Sequence, residues 1–184
     1  MLLKLKKHNN KITTYIAIIV DSGFFYLQLF MNPRIVNLQE KKIVGLKSKM
    51  LQHQYGNIVA LWKQFMPRKK EILNTSNSEL IALQNYSDFG NFEKPFDIWA
   101  CVEVTDLNVI PEGILFNTIP KGEYAVFPHK GMDASATYQK IMTEWLPNSG
   151  YQIGNRPHFQ VMGEKYKQGS PDSEEDFYVP VKRR

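Results

Sequence analysis

Apolar residues recur at two different intervals along this chain, and the changes of interval divide it into elements. Ile58, Leu61, Trp62 and Phe65 fall at i, i+3, i+4 and i+7, one face of a 3.6-residue period, and predict a helix over 57–73. Tyr138, Ile141, Met142 and Trp145 repeat that spacing and predict a second helix over 134–146. Asn57 is a suitable N-cap for the first, and Gly131-Met-Asp133 breaks the chain and caps the second. Pro67 is expected to kink or end the first helix near Met66, and Pro147-Asn-Ser-Gly150 to stop the second. The remaining apolar runs are short and extended. In the first half they cover 35–50, 80–86 and 96–104, separated by Gln54-Tyr55-Gly56, a polar loop over 74–78 and a turn at Ser87-Asp-Phe-Gly90. In the second half they cover 113–129, with a turn at Pro120-Lys-Gly122, then 158–165 and 176–182, with a loop over 168–172.

Each half therefore reads β-α-β-β, with modules at about 33–107 and 113–182 inside one domain spanning 31–184. One such unit is marginal alone. Two side by side can share a single mainly antiparallel sheet with both helices packed on one face, an α+β architecture with a central cleft where the units meet.

Residues 1–30 follow another pattern. Lys4, Lys6, Lys7 and Lys11 precede Tyr15-Ile-Ala-Ile-Ile-Val20, then Asp21-Ser-Gly23, then Phe24-Phe-Tyr-Leu-Gln-Leu-Phe30. Asp21 interrupts an apolar stretch that falls short of the ~20 residues a membrane span needs, and no small-residue cleavage site follows. Three readings stay open: an extra segment upstream of the true start, a weak interfacial anchor, and a β-hairpin turned at Asp21-Ser-Gly23.

Composition narrows the function classes. With 43% apolar and 22% charged residues the chain is an ordinary globular one. The formal charge is +5, but residues 1–30 hold +3 of it, which leaves too little on the domain for a phosphate-backbone footprint. No direct nucleic-acid partner and no membrane partner is expected. The 30 residues ahead of the domain are too few for a pair of helix-turn-helix motifs. The one cysteine, Cys101, cannot form an internal disulfide, sits in the apolar run Trp99-Ala-Cys-Val, and fits a reducing, cytoplasmic setting. The four histidines show no ligand spacing, so neither a metal nor a cofactor is expected. His129 reads as a turn residue. No nucleophile elbow, phosphate loop or dinucleotide fingerprint is present.

Five stretches in order resemble one family. Lys41-Lys-Ile-Val-Gly45 and Trp62-Lys-Gln-Phe-Met-Pro67 are similar to the first module of the GyrI-like effector-binding domains. Ile119-Pro-Lys-Gly-Glu-Tyr-Ala-Val-Phe-Pro-His-Lys-Gly131, Glu144-Trp-Leu-Pro-Asn-Ser-Gly-Tyr151 and Asp176-Phe-Tyr-Val-Pro-Val-Lys182 are similar to the second. The resemblance implies a duplicated fold with a ligand cleft between its halves. It also implies ligands that are bulky, aromatic and often cationic. Members serve as sensor domains of AraC-type and MerR-type multidrug regulators, others stand alone like the gyrase inhibitory protein, and some hydrolyse electrophilic cyclopropane compounds. The family's Glu-x-Tyr-x-Pro at the last strand is here Asp176-Phe-Tyr178-Val-Pro180, one methylene shorter. Its Phe-Glu-x-Tyr is here Phe159-Gln160-Val161-Met162, which removes a carboxylate and a tyrosine and weakens hydrolysis more than binding.

An apolar cation is held by ring faces and one partly buried carboxylate. The candidates are Trp99, Trp145, Tyr124, Phe127 and Tyr178 for the rings and Asp176 for the carboxylate, with Glu103 on the Trp99 face as a second acid. Trp62 and Trp145 also lie on helix stripes, where packing is the alternative role. The sequence thus predicts a stand-alone effector-binding domain for a bulky hydrophobic, cationic small molecule, used for sensing or sequestration, with a transcription-regulator partner as one route to sensing. Two other readings are a hydrolase of electrophilic compounds and a topoisomerase inhibitor, with no catalytic residue assigned.

Overall fold

The structure is a computed structural model. It describes the backbone of residues 6–8, 11–13, 15–20 and 23–28, and describes 31–52, 54–91 and 93–184 in full. The chain forms two compact units, residues 1–32 and 33–184. In the first, β1 (Lys6–His8) pairs antiparallel with β2 (Lys11–Thr13), and β3 (Tyr15–Val20) with β4 (Gly23–Gln28). Val20 stands opposite Gly23, which is hairpin geometry; Asp21 and Ser22, the expected turn, lie outside the described residues. Among the described residues no helix is long and apolar enough to cross a membrane.

The second unit runs β5 (Arg34–Leu38), β6 (Lys41–Met50), α1 (Gly56–Arg68), β7 (Leu80–Asn85), β8 (Phe96–Val104), β9 (Leu115–Ile119), β10 (Gly122–Lys130), α2 (Ala134–Lys140), α3 (Leu146–Asn148), β11 (Tyr151–Ile153), β12 (His158–Met162) and β13 (Glu174–Arg183). Nine strands form one antiparallel sheet in the order β5-β10-β13-β12-β7-β8-β6-β9, with β11 added beside β13. The first module supplies β6, β8 and β7, the second β10, β13 and β12, and they meet at the seam where β7 pairs with β12. Each edge strand is exchanged: β5 precedes β6 in the chain but pairs with β10, and β9 precedes β10 but pairs with β6. Gly122 opposite Leu38 and Ile119 opposite Lys41 belong to one continuous antiparallel alignment, so the exchange ties the two modules together at both edges.

Strand alternation sorts the side chains onto two faces. On the helix face, Val44, Phe96, Ile98, Ala100 and Val102 pack under Leu61 and Phe65 of α1. On the other, Ile43, Leu83, Trp99, Cys101, Tyr124 and Phe159 form a second cluster, with Tyr178 against it. Gly45 of β6 lies tight against the Ala100–Cys101 backbone of β8. A Cβ there would collide with the Ala100 carbonyl oxygen and with Cys101, which explains a glycine in a strand interior.

The helices differ from the sequence pattern at their ends. Helix α1 begins at Gly56, and Asn57 does not cap it; its amide Nδ2 instead donates to the Lys49 carbonyl at 3.2 Å and fixes the helix to the end of β6. Pro67 does not stop α1 at Met66. The helix reaches Arg68 and tightens into a 3₁₀ turn, Lys69–Glu71, because a proline in the last turn costs only one backbone bond. Asp133 does cap α2, accepting from Ala136 N at 2.9 Å. The second helix then widens into a π turn, Ile141–Trp145, before α3. Pro147 has no N–H for the Thr143 carbonyl. The Thr143 hydroxyl takes the Gln139 carbonyl at 2.8 Å and the Asn148 amide takes the Glu144 carbonyl at 2.7 Å.

Candidate functional site

The sheet seam carries short and polar side chains on its helix face. Ala82 on β7 stands opposite Ala100 on one side and Gln160 on the other, and Gln84 stands opposite His158. No large aliphatic group fills the middle, so α1 and α2 cannot close over it. What results is a cavity of about 660 Å³. Its floor is Ala82, Gln84, Gln160 and Phe177; α1 contributes Ile58, Leu61 and Trp62, and the second helix contributes Ser135, Tyr138, Gln139 and Met142. The site therefore lies between the two modules and is walled by both.

One end of the cavity is a nest of rings. Tyr86 stacks on Phe96 with centroids 4.5 Å apart, and Phe89 meets Tyr86 edge-on at 5.2 Å. Phe89 also stacks on the His158 imidazole at 4.7 Å and 14°. Tyr138 from α2 reaches down to place its hydroxyl 2.8 Å from His158 Nδ1 and its ring 6.2 Å from Phe177. Burial removes the water that would solvate charge here. It drives the His158 pKa down to about 3, so the imidazole is neutral, and pushes the Tyr86 and Tyr138 phenols well above their ordinary range. Tyr86 donates to Gln84 Oε1 at 2.7 Å. Gln52 Oε1, also on the wall, is buried with no partner among the described residues, an acceptor available to whatever fills the cavity. No carboxylate and no lysine or arginine lies among the described wall residues.

Of the six residues expected from sequence, Trp99, Tyr124 and Tyr178 gather in the cluster on the face opposite the helices, while Phe127 and Trp145 pack apart from them. Trp99 and Tyr178 border the cavity from their strands, while their rings belong with the cluster on the opposite face. Tyr124 is fully buried in that cluster, donates to the Pro157 carbonyl at 3.3 Å and carries the Arg156 guanidinium 5.2 Å over its ring. Phe127 and Trp145 pack edge-on at 5.0 Å beneath the π turn, as helix-stripe packing would have it. Asp176 is off the cavity wall. It alternates with Tyr178 onto the far face and takes an ion pair from Arg34 at 3.2 Å. Glu103 is likewise engaged, by Lys41. Cys101 is wholly buried, donates to the Ile81 carbonyl at 3.3 Å and has its pKa raised by desolvation, which makes it inert. His129 is bound to Thr137 at 2.8 Å and to the Gly131 carbonyl at 3.2 Å, bracing the turn into α2. Among the described residues no cluster of His, Cys, Asp or Glu could hold a metal.

In the sequence Tyr138 and His158 fall within their elements, and no local pattern marks them as site residues. The available signal was a histidine opening an apolar strand. It becomes meaningful only once register sets it opposite Gln84 and under Tyr138.

Comparison with known proteins agrees with this architecture. The family model described as Cass2, integron-associated effector binding protein, matches residues 34–181. The transcriptional regulator BrlR of Pseudomonas aeruginosa is 27% identical over 155 residues, 82% of this chain but only 56% of BrlR, so the chain spans little more than half that relative. Among solved structures, the Cass2 integron cassette protein of Vibrio cholerae aligns with a TM-score of 0.59 at 15% identity, covering 83% of this chain and 98% of that one. SAV2435 bound to tetraphenylphosphonium aligns at 0.61 and 17%, covering 83% and 94%. The C-terminal domain of EcmrR aligns at 0.62 and 18%, covering 83% and 98%. At these identities the structural likeness is one of fold.

Proposed function

The chain belongs to the integron-associated effector-binding family, and from that membership we propose that it binds a bulky hydrophobic small molecule of diffuse positive charge in the cavity between its helices. The observation that carries this reading is the 660 Å³ space walled by rings at the module seam. Each ring face contributes roughly 0.5–2 kcal/mol to a desolvated cation. A wall without a described carboxylate suits an ion whose charge is spread over a large apolar body, because such an ion loses little hydration on entry. A compact ammonium would be left unpaired. SAV2435 has the same fold and is bound to tetraphenylphosphonium, which supports that ligand class. Occupancy would bridge α1 and α2 and so couple the two modules. The relation to BrlR supports a further step in which that coupling is read by a transcription-regulator partner.

Calorimetric titration of the folded chain tests the ligand class. Tetraphenylphosphonium should bind with a dissociation constant of order micromolar, about −8 kcal/mol, and butylammonium should give no measurable heat. Equal affinities for the two would remove the argument from ring walls and diffuse charge.

A further inference from the structure

The cavity contains a single described group that can acquire positive charge, and it is placed where a ligand would lie against it. His158 is 3% exposed, opens β12 and faces the cavity. Three neighbours hold its ring: Phe89 stacked on one face, Tyr86 edge-on at 5.4 Å, and the Tyr138 hydroxyl on Nδ1.

The groups facing His158 set what its protonation would require. Gln84 of β7 stands opposite it, the phenol of Tyr86 comes from just beyond β7, and the phenol of Tyr138 comes from α2. Phe96 and Ile98 of β8 and Phe177 of β13 line the same cavity. None can balance an imidazolium. The nearby strand carboxylates are elsewhere. Asp97 lies on the opposite face against Lys47 and Lys49, and Asp176 pairs with Arg34. Glu175, on the helix face of β13 with Phe177, is half-buried and outside the cavity wall. Among the described wall residues none supplies the counter-ion that a proton on His158 needs, which leaves that role to a ligand.

We propose that His158, clamped by Tyr138 and Phe89, sets the charge selectivity of this cavity: its neutral ring admits a lipophilic cation, and a lipophilic anion enters only together with a proton on that ring. The inference rests on the binding reading above and extends it to a second ligand class. It balances: one proton is taken from solvent for each anion bound, and none is exchanged when a cation binds. By linkage, anion affinity rises by up to about tenfold for each pH unit lowered, while cation affinity stays level over the range where the ring is neutral.

The test uses two ions of matched shape and opposite charge, tetraphenylphosphonium and tetraphenylborate, titrated into the full chain between pH 8 and pH 5 with circular dichroism as the check on folding. The phosphonium constant should change less than about twofold. The borate constant should fall by at least about fivefold per pH unit. Calorimetry in two buffers of different ionisation heat should report one proton taken up with borate and none with phosphonium. His158→Gln should abolish the borate pH dependence. Tyr138→Phe, a milder change, frees Nδ1 and should displace the borate profile along the pH axis. A borate constant independent of pH in the wild type, or one whose pH dependence survives in His158→Gln, overturns the assignment while leaving cation binding standing. Failure of both ions to bind the folded chain overturns the binding reading and this inference with it.

Discussion

His158 shows how a residue can be visible in a sequence and its role hidden. It stands in an apolar strand, where a buried histidine is unremarkable. Desolvation holds its folded pKa at about 3 against 6.5 in the unfolded chain. The unfolded state therefore takes up a proton that the folded state refuses. Stability is fully present above pH 6.5 and is lost as pH falls from there toward 3, at up to about 1.4 kcal/mol per unit. Denaturant midpoints at pH 7, 5.5 and 4.5 should fall in that order, and His158→Gln should flatten the decline. An unchanged slope in the variant would place the acid sensitivity elsewhere. Gly45 is a parallel case: the motif containing it is plain in the sequence, but its reason is the contact of β6 with the Ala100 carbonyl. Gly45→Ala should cost about 1–3 kcal/mol by chemical denaturation, since the collision is with backbone and the strands must part.

Most elements could be read from periodicity because each is a local pattern. The strand Phe96–Val104 and the start of α2 at Asp133 fall where spacing and capping put them. What was not legible depends on pairing. Asp176 and Tyr178 share a face by alternation, as the sequence implies, but only the register of β13 with β10 and β12 decides that this face turns away from the helices. The exchange of β5 and β9 between modules is invisible for the same reason, as is the π turn, which follows from Pro147 and the side-chain bonds around it. The cap at Asp133 positions Ser135, Tyr138 and Gln139 on the cavity wall. Asp133→Ala should lower stability by about 1 kcal/mol and weaken phosphonium binding by a few-fold. Loss of stability with binding unchanged would show that the wall does not depend on that helix start.

For the molecule as a whole, the duplication in the sequence is the fact that locates the site. Two β-α-β-β units sharing a sheet must meet at a seam, and here the seam is floored by Ala82, Gln84 and Gln160 instead of larger aliphatics. The resulting space is bounded by both helices, so a ligand touches both modules at once. The comparison that decides the account is the tetraphenylphosphonium dissociation constant of the wild-type chain against Ala82→Phe, whose ring would occupy the floor of the cavity, with thermal melts confirming that both proteins are folded. Binding of order micromolar in the wild type and at least about a hundredfold weaker in Ala82→Phe, a difference near 2.7 kcal/mol, is the predicted result. Equal affinity in the two folded proteins would mean that the ligand sits somewhere other than between the helices.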